Sequence, residues 1–476
     1  MNAPEPQATL GAALADAVAL YRERNPASER QFNSATQVMP GGNTRTVLFN
    51  DPFPLTMARG QDCRLWDLDG HEYLDALGEF TAGLYGHSHP VIREALHAAL
   101  ADGLSLASHT VREADLAREL QARFASMELL RFTNSGTEAN LLALAVAKVH
   151  TGRAKVLVFD GAYHGGVLSF GGGVGSQGNA GPPQVSLTPK ATQGPLRGPW
   201  GGRREAAPWG HSPVNVPHEF VIAPYNDLSA VHAIVSRDGS ALAAMLVEPM
   251  LGSGGCIPGD PAFLRGLQDL AKECGALFVL DEVMTSRLSI GGRQALLGLK
   301  PDLTTLGKYF GGGLSFGAFG GRSDVMARFD PRRADALAHA GTFNNNVLTM
   351  AAGLAGLRRV LTPHALETLN ARGEQLRQRL NDVFARQRVA MQFSGMGSIM
   401  AVHATNRALR SPADLAGSDT RAKDLLYYAL LERGVFMARR GFIALSLPFG
   451  DAQADVFVQA LADAVGAHRA VLPNAA

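Results

Sequence analysis

The stretch 275–321 constrains the fold more than any other part of this 476-residue chain. Residues 276–280 form a short apolar run of the length expected for a strand buried on both faces, and Asp281 follows at its carboxyl end. A second short run, residues 303–306, leads within two residues to Lys308. Because strand ends of this kind border ligand crevices, a carboxylate and an amine are predicted to face one site.

An acid and an amine placed in this way suit pyridoxal phosphate (PLP), which needs a lysine for its Schiff base and a carboxylate that keeps the pyridine nitrogen protonated. A solvated side chain is the ordinary interpretation of either residue alone. The segments LDEVMTSR, TTLGKYFGGG and FGAFGG are more specific together. They resemble the cofactor core of the class III (fold type I) PLP aminotransferases, which implies Asp281 as the ring-nitrogen partner and Lys308 as the Schiff-base lysine.

A second chemical signal is the segment FTNSGTEANLLAL, in which Ser135, Gly136 and Thr137 open a predicted helix. Ser135 and Glu138 have the spacing of a capping box. Free amides at a helix N-terminus bind anions, and glycine lets the anion approach the backbone. By itself the motif also fits an ordinary helix start. Ahead of the acid and lysine pair, it is the predicted site of the cofactor phosphate.

Further cofactor contacts are expected from other loops. The segment KVLVFDGAYHGG presents Tyr163 and His164 in a turn between glycines, where Tyr163 either packs in the core or stacks on a pyridine ring. The resemblance supports the stacking role, and His164 and Val283 are also assigned to the cofactor. In this family the segment around GTFNNNV crosses a dimer interface. Thr342 matches the residue that binds the phosphate of the neighbouring subunit's cofactor, which implies a homodimer with shared sites.

The candidate substrate-binding residues carry more open interpretations. Arg45, in MPGGNTRTVLF, is either a solvated charge or a carboxylate anchor. Phe80 and Tyr85, in EFTAGLYGHSHP, are expected to shape a pocket, with Tyr85 as a wall or a hydrogen-bond donor. Glu248 either orders water or substrate near the cofactor or caps a loop. Adjacent arginines are usually solvated, and the resemblance favours Arg440 of ARRGF as a carboxylate clamp.

Composition excludes several classes of function. A formal net charge of +1 and a pI near 7.9 provide no field for nucleic acid or an anionic membrane. Cys63, Cys256 and Cys274 are spaced neither as a metal site nor as a disulfide framework, and His87 and His89 have no third ligand at a sensible spacing, so no metal is expected. Without a signal peptide or a membrane-length apolar run, a cytoplasmic location is expected.

The order of apolar runs predicts the architecture. Strands and helices alternate over about 91–330, which is typical of an α/β fold with a mostly parallel, doubly wound sheet. We expect a large PLP-binding domain over 91–345 and a smaller α+β domain built from 1–90 and 346–476. The segment 171–216 is dense in Gly and Pro and is predicted to be a surface insertion or lid.

Within class III, the motifs are most similar to the β-amino-acid branch, which lies beside the glutamate-1-semialdehyde aminomutases. The resemblance implies ping-pong transfer of the amino group of an aromatic β-amino acid to 2-oxoglutarate through Lys308, giving a β-keto acid and glutamate. Arg45 would take the carboxylate of the β-amino acid. Arg440 would take the α-carboxylate of 2-oxoglutarate.

Three other functions are considered. An aminomutase shares the Asp and Lys core and ranks second. A non-catalytic PLP-binding regulatory module would carry a basic DNA-reading segment, which the sequence does not contain. A nicotinamide-dependent dehydrogenase would need a GxGxxG motif after an early strand, and none follows one here.

Overall fold

The computed structural model of the protein describes residues 9–170 and 218–475. The predicted insertion at 171–216 lies outside the described residues. The described chain contains the helices α1 (Leu10–Arg24), α2 (Pro26–Ala35), α3 (Pro90–Asp102), α4 (Val111–Arg123), α5 (Gly136–Thr151), α6 (Leu228–Asp238), α7 (Pro261–Cys274), α8 (Gly292–Leu297), α9 (Ser323–Met326), α10 (Val347–Arg359), α11 (Pro363–Arg386), α12 (Arg421–Glu432) and α13 (Asp451–His468).

The strands are short, and most coincide with apolar runs of the sequence. They are β1 (Met57–Gln61), β2 (Arg64–Asp67), β3 (Glu72–Asp75), β4 (Leu129–Thr133), β5 (Lys155–Phe159), β6 (Ala162–Tyr163), β7 (Ser169–Phe170), β8 (Glu219–Ala223), β9 (Leu242–Val247), β10 (Met250–Leu251), β11 (Ile257–Pro258), β12 (Leu277–Asp281), β13 (Leu303–Gly307), β14 (Gly317–Gly321), β15 (Gln392–Met396), β16 (Ile399–His403), β17 (Val435–Phe436) and β18 (Phe442–Ala444).

The central sheet has the order β4-β14-β13-β12-β9-β5-β8. The neighbours β13, β12, β9, β5 and β8 are mutually parallel, and β14 runs antiparallel to both β13 and β4. Helix α5 packs on one face of the sheet, while α6 and α7 pack on the other. Covering both faces explains why β9, β12 and β13 are wholly buried. The expected doubly wound α/β fold is confirmed.

Two smaller sheets connect distant parts of the chain. The strands β1, β2 and β3 form an antiparallel meander, and β17 from the C-terminal part adds to β3 in parallel. The strands β15, β16 and β18 form a second antiparallel sheet. Helix α10 packs on α3 and α4, so the first helix after the predicted boundary at 345 contacts the large domain. The boundaries themselves remain predictions.

None of the helices within residues 9–170 and 218–475 has the combination of length and apolar character needed to cross a membrane.

Candidate active site

Asp281 and Lys308 lie at the carboxyl ends of β12 and β13, which are adjacent and parallel. Asp281 aligns with Thr305 in the register of these strands, so the acid and the lysine reach the same edge of the sheet. Lys308 has a φ of 61°, in the left-handed region that a side chain rarely adopts. Such backbone strain is concentrated at functional sites. The predicted pair is therefore brought together in one crevice.

A hydrogen-bond network fixes the carboxylate of Asp281, which is only 4% exposed. Its Oδ2 accepts a bond from Asn140 Nδ2 at 2.9 Å and lies 2.7 Å from Nδ1 of His164, and its Oδ1 accepts from the Val283 N–H at 2.9 Å. Asn140 in turn accepts from the Thr305 hydroxyl at 2.8 Å. His164, assigned to the cofactor from sequence, thus contacts Asp281 and orients it.

Asn140 is a functional residue that the sequence interpretation missed. It is 1% exposed on α5, among apolar neighbours, and it also donates to the backbone carbonyl of His164 at 3.0 Å. An amide is costly to bury unless its hydrogen bonds are made. In the sequence, the feature that points to Asn140 is a lone Asn among the apolar residues of a predicted helix.

The amine of Lys308 donates to the backbone carbonyl of Phe80 at 2.9 Å. Burial lowers the pKa of Lys308 to about 8, and the guanidinium groups of Arg440 and Arg45 contribute in the same direction. Nearby carboxylates act in the opposite direction and offset part of the shift. The amine therefore loses its proton at a much lower pH than an exposed lysine does.

The carbonyl of Phe80 reaches Lys308 through an unusual turn. Gly78, Glu79, Phe80 and Thr81 have φ values of 52°, 46°, 52° and 80°, so four consecutive residues occupy the left-handed region. A Cβ at Gly78 would lie 2.2 Å from the backbone oxygen of Ala444, which leaves room only for glycine. Left-handed backbone is unfavourable for residues other than glycine, and it persists only where the surrounding structure imposes it.

Helix α5 begins beside Asp281. Ser135 is its N-cap and accepts a bond from the Glu138 N–H at 3.2 Å. Glu138 reaches back to the N–H of Asn134 at 3.0 Å, one residue before the N-cap, so only half of the predicted capping box forms. A Cβ at Gly136 would lie 2.9 Å from a methyl of Val283. Glycine therefore lets the helix start approach the residue that holds Asp281.

The loop after Tyr163 packs against the first turn of α5. The N–H of Gly166 donates to Oγ1 of Thr137 at 3.3 Å. Gly165 has a φ of 126°, and a Cβ there would lie 2.1 Å from the same oxygen. The loop and the helix start therefore fit together only with glycine at 165.

This contact predicts different effects for two neighbouring substitutions. Gly165→Ala is expected to lower the free energy of unfolding by about 2 kcal/mol, because it adds backbone strain and steric overlap. Gly166→Ala is the matched control, since a Cβ there meets nothing within 4 Å in the described part of the chain, and it should change stability little. Urea unfolding of both variants tests this, and equal losses of stability would contradict it.

Glu248 supports the loop that carries Tyr163. Its Oε1 accepts from the Tyr163 N–H at 2.9 Å and its Oε2 from the Gly252 N–H at 3.0 Å. Burial raises the pKa of this carboxyl group. The aromatic side chain of Tyr163 remains 43% exposed and available to stack. Both carboxylate oxygens of Glu248 thus accept hydrogen bonds from backbone N–H groups. These contacts position the loop of Tyr163.

Two arginines lie beside the ring of Phe80. The guanidinium carbon of Arg45 is 5.4 Å from the ring centroid, and that of Arg440 is 5.2 Å from it. Phe80 also stacks on Phe442, with centroids 5.7 Å apart. Arg439 is directed elsewhere and forms an ion pair with Asp424 at 2.8 Å. The structure thus separates the two adjacent arginines and brings Arg440 to the cluster.

Tyr85 and Thr342 are not brought to this cluster. Tyr85 is 3% exposed, packs edge-on against Tyr309 at 6.4 Å, and its hydroxyl has no hydrogen-bond partner among the described residues. The structure thus places Tyr85 in the core, and its role as a pocket wall or hydrogen-bond donor stays a prediction. Thr342 is exposed in the loop before α10, and its contact with a neighbouring subunit stays a prediction.

The histidines of the 79–90 segment have ordinary partners. His87 Nε2 lies 2.9 Å from Oδ2 of Asp75, and His89 caps α3 by accepting from the Val91 N–H at 3.3 Å. Within the described ranges, 9–170 and 218–475, no group of His, Cys, Asp and Glu side chains has the arrangement of a metal site.

A doubly wound sheet with an acid and a lysine at the ends of adjacent strands is the arrangement of a PLP-dependent enzyme of fold type I. Comparison with family models agrees, since the class-III aminotransferase model matches residues 49–179 and 207–465. The chain belongs to the class III aminotransferases.

Individual relatives are similar over most of their length. The chain is 50% identical over 468 residues to a β-phenylalanine transaminase of Variovorax paradoxus, covering 98% of this chain and 99% of the relative. The crystal structure of a β-phenylalanine aminotransferase from that organism superposes with a TM-score of 0.88 at 49% identity, covering 98% and 100% of the two chains. A glutamate-1-semialdehyde 2,1-aminomutase of Desulforamulus reducens is 34% identical over 437 residues, covering 90% and 94%.

The cofactor of this family is PLP, and the residues present fit it. The buried carboxylate of Asp281 suits a protonated ring nitrogen, and the amine of Lys308 suits the aldehyde. Ser135 caps the Glu138 amide, and the earlier amides of the first turn of α5 have no acceptor within the helix, as at any helix N-terminus, so they suit a phosphate. Tyr163 offers an exposed ring for stacking.

The pKa of Lys308 predicts the pH dependence of cofactor uptake. Attack on the aldehyde needs the neutral amine, and the pKa is lowered from 10.5 to about 8. The rate at which the apoenzyme takes up PLP should therefore rise about tenfold per pH unit below pH 8 and level off above it. Stopped-flow absorbance measures this rate. A profile that still rises at pH 10 would show an amine with an ordinary pKa.

Proposed function

We propose that this aminotransferase moves the amino group of an aromatic β-amino acid to 2-oxoglutarate, giving a β-keto acid and glutamate. The observation that carries the proposal is the pair of guanidinium groups, from Arg45 and Arg440, on the ring of Phe80 whose own carbonyl meets Lys308. Two cations near one amine suit two substrates that carry carboxylates at different distances from the reacting carbon. The identity to a β-phenylalanine transaminase gives further support.

The residues divide the chemistry between them. Bound PLP supplies the electron sink for the carbon that loses a proton. Lys308 moves that proton, for which a pKa of about 8 is well matched to neutral or slightly basic pH. Asp281, held by Asn140 and His164, would supply the fixed carboxylate that pairs with the ring nitrogen of bound PLP. The carbonyl of Phe80 accepts a hydrogen bond from the Lys308 amine when that amine is free.

The two carboxylate positions follow from the geometry of the substrates. In a β-amino acid the carboxylate lies one carbon further from the reacting centre than in an α-amino acid, and we assign it to Arg45. The α-carboxylate of 2-oxoglutarate is attached directly to the reacting carbon, and we assign it to Arg440. The ring of Phe80 belongs to a buried apolar cluster, which makes this side of the site apolar and suits an aromatic substrate; the cluster comprises Leu77, Phe80, Met250, Cys256, Ile399, Ala401, Ala438, Phe442 and Ala444.

Substitution of the two arginines should separate the half-reactions. Arg45→Ala is expected to raise the KM for β-phenylalanine, and Arg440→Ala the KM for 2-oxoglutarate, each by about 10- to 100-fold, because a charge-assisted hydrogen bond contributes about 1.5 to 3 kcal/mol. Arg439→Ala is the matched control. It breaks the ion pair with Asp424 and should reduce stability while leaving both KM values unchanged.

Steady-state kinetics with each substrate varied in turn measure these values. An unchanged KM for β-phenylalanine in Arg45→Ala would refute the assignment of its carboxylate.

The reaction itself is tested by its products. Purified enzyme incubated with β-phenylalanine and 2-oxoglutarate should form glutamate and consume the β-amino acid in equal amounts, as chromatography of the mixture would show. Isomerisation of glutamate-1-semialdehyde without such transfer would instead support an aminomutase. The two outcomes are distinguishable because only the first requires an external oxo acid.

We infer that the active unit is a homodimer. Large apolar side chains are exposed in the loops near the site, among them Val47, Phe49 and Phe343, the last 63% exposed beside Thr342. Covering such residues favours association, and it suits the assignment of Thr342 to the neighbouring subunit's cofactor phosphate. Sedimentation equilibrium tests this inference, and a monomer with full activity would refute it.

A further inference from the structure

Arg440 has no carboxylate partner among the described residues. Its guanidinium carbon lies 5.2 Å from the ring centroid of Phe80 and 5.5 Å from that of Phe442, and its Nη1 donates to the hydroxyl of Ser253 at 2.7 Å. Within residues 9–170 and 218–475, no Asp or Glu side chain lies within ion-pair distance of it. A half-buried cation therefore rests on two aromatic rings and a neutral oxygen.

The neighbouring arginines differ in this respect. Arg45 forms an ion pair with Glu79, and Arg439 forms one with Asp424 at 2.8 Å. A charge removed from water without a partner is unfavourable unless an ion completes its environment. Among the described residues, Arg440 is thus the guanidinium beside Phe80 that has no carboxylate already paired with it. At Arg45, by contrast, a substrate carboxylate would take the place of the exposed Glu79.

Ser253 occupies a fixed position. It lies in the turn that follows β10, and the N–H of the preceding residue, Gly252, donates to the buried carboxylate of Glu248 at 3.0 Å. A Cβ at Gly252 would lie 2.2 Å from the sulfur of Met284, so this turn packs closely. The Ser253 hydroxyl is therefore held beside Arg440 by the same acid that holds Tyr163.

We propose that Ser253 is a specificity-determining positioning residue for the oxo-acid half-reaction. Its hydroxyl orients the Arg440 guanidinium without neutralising it, so the charge is reserved for the substrate carboxylate. An acidic residue at 253 would act as an internal competitor for Arg440. The inference rests on the proposed function, because it takes Arg440 as the binding residue for the α-carboxylate.

Variants at 253 separate orientation from charge. Ser253→Asp introduces a carboxylate beside Arg440, and Ser253→Asn is the matched neutral control of nearly the same size. The KM for 2-oxoglutarate should rise about 30-fold or more in the Asp variant, as expected when a close charge pair must be displaced. The Asn variant should change it no more than about 3-fold, the scale of one neutral hydrogen bond. The half-reaction with β-phenylalanine alone, in which the amino group moves to the cofactor, should keep its rate in both the Asp and the Asn variant.

A direct measurement of ligand binding tests the inference without requiring catalytic turnover. Isothermal titration of the holoenzyme with glutarate, a dicarboxylate that cannot react, should give a similar loss of affinity for Ser253→Asp and little loss for Ser253→Asn. Ser253→Ala should bind glutarate several-fold more weakly than the wild type, because the guanidinium loses its orienting acceptor. Thermal melting of each variant confirms that it folds.

Equal affinities for glutarate in the Asp and Asn variants would overturn the inference, as would a loss of the β-phenylalanine half-reaction equal to that of the oxo-acid half-reaction. A wild-type enzyme that transaminates neither substrate would refute the proposed function. In that case the glutarate titrations would still decide whether a charge at 253 competes for Arg440.

Discussion

The Lys308→Ala variant is expected to lose at least about 10³-fold in kcat, since it removes the amine to which we assign the proton transfer of general acid–base catalysis. The amine lies at the end of β13, donates to the carbonyl of Phe80 and has its pKa lowered to about 8. Steady-state assays with β-phenylalanine and 2-oxoglutarate measure the loss. Lys272→Ala, at an exposed position on α7, is the control and should retain full activity.

Stability provides a second readout for the same variant. Because the folded-state pKa of Lys308 is lowered from 10.5 to about 8, the unfolded apoprotein binds more protons between these values, and the wild type gains stability as the pH rises through this window. Lys308→Ala should lack that gain. Its apoprotein should be no less stable than the wild type at pH 7, where the buried amine is mostly charged. A variant that is simply misfolded would melt early at every pH.

The Asp281→Asn variant is expected to lower kcat by about 10²- to 10³-fold, the range for removing one preorganised electrostatic contact from an active site. The substitution keeps the size of the side chain but removes the carboxylate charge that we assign to the ring nitrogen of the cofactor. Asn140 and His164 remain in place, yet the pair with His164 at 2.7 Å is also weakened.

The adjacent acid is the matched control for Asp281. Glu282 is fully buried, and its carboxylate accepts from the N–H groups of Gln294 at 2.7 Å and Arg293 at 3.2 Å, away from Lys308. Glu282→Gln should therefore lower the melting temperature and change kcat little. Comparable losses of kcat in both variants would contradict the assignment of Asp281 as the ring-nitrogen partner.

The sequence predicted those parts of the site that depend on local pattern. The apolar runs before Asp281 and Lys308 are the adjacent strands β12 and β13, and the Ser135 motif does open helix α5.

Contacts between distant segments could not be predicted in this way. The left-handed turn at 78–81 is imposed by packing against Ala444, and no local pattern indicates that Phe80 will offer its carbonyl to Lys308. Tyr85 shares a short segment with Phe80 but is buried in the core. The choice of Arg440 over Arg439 is decided by the position of Asp424, which sequence spacing does not reveal.

The absorbance spectrum of the holoenzyme tests the central claim most directly. Addition of β-phenylalanine without an oxo acid should abolish the visible absorbance of the bound cofactor, and later addition of 2-oxoglutarate should restore it. This cycle would establish amino transfer from a β-amino acid at Lys308. A spectrum that β-phenylalanine leaves unchanged, or that responds only to glutamate-1-semialdehyde, would contradict the proposed function.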